Sequence, residues 1–313
     1  MISVVIPNWN GINFIGMCLD SFKGQKFKDY EIIVVDNGST DGSRELLKDK
    51  YPFVRLIELP ENLGFAKACN EGIKTSKGEY ICLLNNDIEV DDLWLKELYE
   101  GMERYPQAGM GASKMLFFDQ RDIIYNAGDT YHIWGTGGPR GQGEKDDGRY
   151  DREEYIFGAC AGAGIYRKKL FEDIGFFDED FFIFAEDVDL NYRSQLSGYK
   201  CVYLSKARVY HIGTATVGLY SNMYVYLCSR NDIYVMIKDT PLQMYFKNIG
   251  KILNHQLESF NYFSTRGQGV LLLKGKIAVL KNLSKMLKRR YRIQKSKKVS
   301  NKYLEEVIIM SSN

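Results

Sequence analysis

With 313 residues, 45% of them hydrophobic, the chain is long enough to bury one large core or a core with an appendage. Its six cysteines are scattered without a CxxC pair, which argues against a zinc ribbon or a disulfide framework and for reduced thiols in the cytoplasm. No apolar run approaches the roughly 18 residues that span a bilayer, and the opening Ile2-Ser3-Val4-Val5-Ile6-Pro7 reads as a first strand and not as a signal peptide, so the expected location is cytoplasmic or peripheral at the inner face of the cytoplasmic membrane.

Ile2–Ile6, Glu31–Val35, Val54–Leu59 and Glu79–Leu84 are short runs rich in Val, Ile and Leu, bounded by turn residues, and are expected to be strands. Between them Phe14–Phe22, Ser43–Lys50 and Phe65–Thr75 have helical character, the second opened by Asp41-Gly42-Ser43. Strands alternating with helices imply right-handed βαβ units and a parallel, Rossmann-like α/β sheet. A further helix is expected over Asp92–Tyr105. Beyond it Tyr125–Trp134 has hairpin character, and Gly135–Tyr150, rich in glycine and charge, is expected to be a mobile loop of the kind that serves as a lid. Glu154–Arg167 reads as a strand whose small residues Gly158–Gly164 either pack tightly or let a ligand approach the backbone.

Two later regions carry chemistry. The aromatic residues Phe176, Phe177, Phe181, Phe182 and Phe184 fill core or wall a pocket, and Glu186, Asp187 and Asp189 follow at the start of a helix. In the tail, thirteen Lys and Arg and no acid lie between Glu258 and Glu305, leaving 29 basic against 40 acidic residues elsewhere. Ile277, Leu280, Leu283, Leu287 and Tyr291 recur there at helical spacing, with Lys281, Lys285, Lys288, Arg289 and Arg292 for the other face. Such a helix suits an anionic membrane surface; docking on the domain or binding nucleic acid are the competing readings.

There is no G-x-G-x-x-G after the first strand and no G-x-x-x-x-G-K-[ST], which disfavours a dinucleotide oxidoreductase or a P-loop enzyme. Instead polar residues end each predicted strand: Pro7-Asn8-Trp9-Asn10, Asp36-Asn37, Asn62-Leu63-Gly64 and Asn85-Asn86-Asp87. In an open α/β sheet these ends converge on one crevice. Amides and acids suit a pyrimidine edge and a ribose, but a diphosphate needs a cation, and an oxygen-rich site points to Mg²⁺ or Mn²⁺.

The ordered series VVIPNWN, VVDNGSTDGS, NLGFAKACN, LLNND, GFFDEDFFIFAEDVDL and VYHIGTAT resembles the family 2 glycosyltransferases of GT-A fold, and within them the bacterial rhamnosyltransferase-like branch. The resemblance implies a GT-A catalytic domain over 1–217, with a nucleotide-binding half over 1–105 and an acceptor half over 106–217, followed by a mainly helical basic C-terminal extension over 218–313. It implies a donor site formed by Asp36, with Pro7, Asn8, Asn10, Asn37, Asn62, Asn85 and Asn86. Asn85-Asn86-Asp87 takes the place of the family's D-x-D motif, with Asp87 and His211 as metal ligands and Asn85 where an aspartate is usual. Asp187 falls at the catalytic base, and Glu186 and Asp189 are assigned to the acceptor or to support. The implied reaction is inverting transfer from a nucleoside-diphosphate sugar, dTDP-L-rhamnose first and a UDP-hexose next, to a polyprenyl-linked or growing cell-surface saccharide. The expected partners are that donor, that acceptor and an anionic membrane surface, with no nucleic acid. A nucleotidyltransferase, or a protein that binds nucleotide sugars without turnover, is the alternative.

Overall fold

The computed structural model describes residues 1–213, 218 and 220–311. The last residues of the VYHIGTAT motif, and the expected boundary at 217, lie outside them.

The first half builds as its periodicity demands. β1 (Ile2–Asn8), α1 (Ile15–Asp20), β2 (Tyr30–Asn37), α2 (Ser43–Lys50), β3 (Arg55–Leu59), α3 (Phe65–Thr75) and β4 (Tyr80–Leu84) alternate in chain order. β1 pairs in parallel with both β2 and β4, and β2 with β3. β1, β2 and β4 are almost wholly buried because helices cover both faces, which is why they read as unbroken apolar runs.

A short β5 (Ile88–Val90) and α4 (Trp94–Arg104) lead into β6 (Ala108–Phe117), a strand that the sequence reading lacked. β7 (Ile124–Asn126) pairs with β6, while β8 (Asp129–Tyr131) and β9 (Gly137–Pro139) form a separate hairpin. The expected single strand over Glu154–Arg167 is two, β10 (Glu154–Ile156) and β11 (Ala163–Arg167), in different places in the sheet. After α5 (Lys168–Ile174) and α6 (Glu186–Leu196), the long β12 (Lys200–His211) runs parallel to β6 and antiparallel to β5. The main path is β10-β12-β6-β11-β4-β1-β2-β3.

The segment expected to be a mobile loop is largely exposed over 142–149 but is tethered to the sheet at its end. Lys114 of β6 is fully buried, and its ammonium donates to Asp146 at 2.7 Å and to Asp151 at 2.6 Å. A buried charge needs such partners, and they tie the segment to the sheet. Tyr150 is also buried, its carbonyl accepting from the Tyr203 hydroxyl.

The C-terminal part comprises α7 (Asn222–Asp239), α8 (Leu242–Lys247), α9 (Ile249–Thr265), α10 (Gly269–Ala278), α11 (Leu283–Lys295) and α12 (Asn301–Ser311). It is not a loose appendage. Tyr234, Val279, Met286 and Leu304 share one buried cluster with Tyr131, Phe157, Phe181 and Tyr192 of the preceding part. A buried ion-pair network seals the junction: Lys238 bridges Asp178 and Asp189, and Arg289 holds Asp178 and Asp180.

The expected amphipathic stripe in this part faces outward. Ile277, Leu280, Leu287 and Tyr291 are exposed, whereas Leu272, Val279 and Met286 make the buried contacts. A 3₁₀ turn over Val279–Asn282 rotates α11 relative to α10 and breaks the single-helix pattern. Lys285 and Arg289, expected on the other face of that helix, are bound to Asp180 and Asp178.

Candidate active site

The carboxyl ends of β1, β2 and β4 meet one cavity of about 680 Å³. Its first wall is an amide lattice. Asn8 Nδ2 donates to Asp36 at 3.0 Å, Asn86 Nδ2 to Asn8 Oδ1 at 2.8 Å, and Asn37 Nδ2 to Asn62 Oδ1 at 3.0 Å. Gly11 is required here, because a Cβ at that position would lie 2.1 Å from Asn86 Nδ2 and 2.3 Å from Asn8 Oδ1. Pro7, Asn8, Asn37, Asn62, Asn85 and Asn86 all line the cavity.

Asp36 and Asn10 do not. The Asp36 carboxylate is fully buried behind the wall, accepting from Asn8, from the Ser39 amide and from the Arg44 guanidinium. In this arrangement it orients the wall from behind, and it is not among the residues that line the cavity. Asn10, at φ 50°, fastens the β1 loop to the β2 loop by accepting from the Thr40 amide.

The second corner is set by strand pairing. β5 and β12 run antiparallel with His211 opposite Ile88, which brings His211 Nε2 to 3.1 Å from Asp87 Oδ1. Both side chains are buried and both line the cavity. Tyr125 packs edge-on against the imidazole at 4.4 Å, and His211 Nδ1 is buried without a hydrogen-bond partner among the described residues. A carboxylate oxygen and an imidazole nitrogen in one cavity fit a divalent cation of the Mg²⁺ or Mn²⁺ type.

A second group of donor atoms lies in the same cavity. Asp129, Cys160 and Asp187 offer atoms all within 4.8 Å of one another. Sulfur is a soft ligand that suits a hard cation such as Mg²⁺ or Mn²⁺ poorly. The Asp87–His211 corner is the better fit.

The third wall is the segment before α6. Phe182, Phe184 and Ala185 all have positive φ, of 69°, 72° and 60°. Non-glycine residues in that region cost about 1–3 kcal/mol each and persist only where neighbours hold them. Here the holder is α7: Asn231 Nδ2 donates to the carbonyls of Phe181, Ile183 and Phe184, and Arg230 donates to those of Asp180 and Phe181. Gly64 is needed opposite, since a Cβ there would come within 2.6 Å of Phe182. The aromatic cluster thus divides, with Phe177 and Phe181 in core, Phe182 and Phe184 on the cavity and Phe176 exposed.

Asp187 lines the cavity, with one oxygen accepting from the Ala161 amide at 3.2 Å and the other from the Val188 amide at 2.8 Å. The small-residue stretch over 158–164 serves two purposes. Gly158 makes room for Asn191, whose Nδ2 would lie 2.2 Å from a Cβ there, while Cys160, Ala161 and Gly162 face the cavity. Burial raises the Asp187 carboxyl, and burial and the Asp187 charge raise Glu186 well above the carboxylate range. Glu186 Oε2 is buried without a hydrogen-bond partner among the described residues.

Asp189 is absent from the cavity. It is fully buried against Arg193 and Lys238; burial pushes its carboxyl up, but Lys238 and Arg193 outweigh it and hold Asp189 down at about 2. Of the two roles expected for it, support is the one its contacts allow.

Asp129 is a cavity residue that sequence reasoning missed. Asn126 donates to one of its oxygens at 2.8 Å and Asn191 to the other at 3.4 Å. Burial and the Asp187 charge raise its carboxyl well above the ordinary range. The only signal for it was a carboxylate after Gly128 in a stretch with hairpin character.

Residues 3–175 match the family model described as glycosyl transferase family 2. The chain belongs to that family. It is 28% identical over 221 residues to the glycosyltransferase GlyA of Streptococcus pneumoniae, covering 66% of this chain but only 30% of that protein. It is 27% identical over 236 residues to the N-acetylglucosaminyl-diphospho-decaprenol L-rhamnosyltransferase of Mycobacterium tuberculosis, covering 64% of this chain and 75% of that one. Among solved structures, GalNAc-T7 with UDP, GalNAc and Mn²⁺ aligns with a TM-score of 0.69 at 17% identity, over 100% of this chain and 57% of that one. The fold is GT-A.

Proposed function

We propose that this glycosyltransferase-family chain is an inverting transferase that moves a sugar from a nucleoside-diphosphate donor to a hydroxyl of a lipid-linked or growing surface saccharide. The observation that carries the reading is one cavity shared by the amide wall at the strand ends, the Asp87–His211 corner and the Asp187 carboxylate. The relative named as a rhamnosyltransferase favours dTDP-L-rhamnose as donor, and the UDP held by the structural neighbour favours a UDP-hexose as the second choice.

Asn8, Asn37, Asn62 and Asn86 supply donors and acceptors for the base and ribose. Asn85 offers an amide where a carboxylate would repel the phosphates. Asp87 and His211 would hold Mg²⁺ or Mn²⁺, whose charge offsets that of the departing diphosphate. Asp187 acts on the acceptor: as the acceptor oxygen bonds to the anomeric carbon and the bond to the diphosphate breaks, the hydroxyl proton passes to Asp187. A positioned base of this kind contributes about 10²–10⁴-fold. The basic C-terminal helices, with their exposed apolar stripe, would set the enzyme on the anionic membrane that carries a polyprenyl-linked acceptor.

The test is nucleoside-diphosphate release from a panel of dTDP- and UDP-sugars with Mn²⁺ or Mg²⁺, comparing the native chain with Asp187→Asn. The substitution should leave nucleotide affinity intact and reduce transfer by about 10²-fold or more. Undiminished transfer removes Asp187 from the role of base.

A further inference from the structure

The cavity does not end at the catalytic part. Tyr224, Cys228 and Asp232 recur every four residues along α7 and line its far end, and α10 contributes Lys276 opposite. Gly275 allows this approach, since a Cβ there would lie 2.1 Å from Ser229 Oγ and 2.4 Å from the Tyr226 carbonyl, so α10 presses directly onto α7. Ser259 and Gln256 of α9 add polar atoms, and Phe184 and Phe263 add rings.

Asp232 and Lys276 sense each other's charge without forming an ion pair among the described residues. Burial pushes the Asp232 carboxyl up to about 7 and the Lys276 ammonium down. An acid and a base that served only to hold two helices together would touch. These two instead carry a desolvation penalty while facing a shared space, an arrangement that a ligand's polar groups would relieve. The chamber is continuous with the reaction centre: Cys228, Asp232 and Lys276 line the same cavity as Glu186 and Asp187.

We propose that this chamber, walled by α7, α9 and α10, is the acceptor-saccharide subsite, in which Asp232 accepts hydrogen bonds from sugar hydroxyls and Lys276 donates to a sugar oxygen. Carboxylate, ammonium, hydroxyl and amide groups around aromatic rings match a polyol with apolar ring faces. The proposal rests on the transferase reading and assigns to the C-terminal extension the choice of acceptor.

The experiment uses the full chain with Mn²⁺ and UDP, or dTDP in its place where the chain binds dTDP and not UDP, and reads saturation-transfer NMR from methyl glycosides of glucose, galactose, N-acetylglucosamine and L-rhamnose. At least one glycoside should bind. Asp232→Asn and, independently, Lys276→Met should each weaken it about tenfold, as loss of a charged hydrogen bond does. Affinity for that nucleotide measured by calorimetry should stay within about twofold, the two sites being separate. Unchanged glycoside binding in both variants overturns the proposal, as does a parallel loss of nucleotide affinity or a native chain that binds the nucleotide but no glycoside. A native chain that binds neither UDP nor dTDP instead sinks the transferase reading.

Discussion

At the scale of single residues, the site turns on which of two neighbouring carboxyls is ionised. Asp129 is raised well above the ordinary range by burial and by the Asp187 charge, against the amide donors of Asn126 and Asn191, whereas Asp187 is raised by burial alone, against those of Ala161 and Val188. On the proposed transferase reading Asp187 is the base, and Asp129, the more strongly raised of the two, is the neutral acid beside it. Asp129→Asn imitates the neutral acid and should cost less than about tenfold in kcat, against the 10²–10⁴-fold expected at a base. A base whose carboxyl is raised works above its pKa and is lost as pH falls through it, so the acidic limb of the kcat profile should lie above the ordinary carboxylate value of about 4. Kinetics of both variants over that range check the assignment; a large loss in Asp129→Asn would exchange the roles.

At the scale of elements, the strained segment before α6 depends on α7. Asn231 is fully buried and its amide is shared among three carbonyls of that segment. Asn231→Ala takes this donor from the carbonyls of Ile183 and Phe184, while that of Phe181 keeps Arg230, and should cost about 2–4 kcal/mol of stability in urea unfolding. Since the same segment aims Glu186 and Asp187, kcat should fall more than nucleotide affinity does; equal losses in both would show a general collapse instead. The periodicity that revealed β1 to β4 could not reveal this dependence. It exposed strands whose runs are apolar and end in turn residues, and their polar ends led directly to the amide wall and to Asp87. β6 escaped because Gly109, Gly111, Ser113 and Lys114 break its pattern, and Lys114 can sit buried in a strand because Asp146 and Asp151 pair with it. Asp129 escaped because no local motif marks a carboxyl whose importance comes from pairing with Gly158 and Asn191 far along the chain.

At the scale of the whole molecule, the C-terminal helices have an inner and an outer face with different work. The inner face closes the cavity, so cutting the chain after Glu258 would strip Phe263, Leu272 and Lys276 from its wall. The outer face carries Val270, Leu273, Ile277 and Leu280 every three or four residues, followed by Leu287 and Tyr291, all exposed. Lys274, Lys281, Lys288, Arg292 and Lys295 are exposed among them. No helix among the described residues is long and apolar enough to cross a membrane. A stripe of this kind suits shallow insertion, with each basic side chain near an anionic surface adding about 1 kcal/mol. Ile277→Ser, Leu280→Ser, Leu287→Ser and Tyr291→Ser combined should lower co-sedimentation with phosphatidylglycerol vesicles about tenfold or more, since each exchange forfeits well over 1 kcal/mol of apolar burial. UDP affinity should be unaffected, because none of the four lines the cavity. Raising salt from 0.1 to 1 M shortens the screening length from about 10 to about 3 Å and should weaken the native chain's binding as well. Vesicle binding that survives both the substitutions and the salt would remove the outer face from contact with lipid and leave the helices only their inner role.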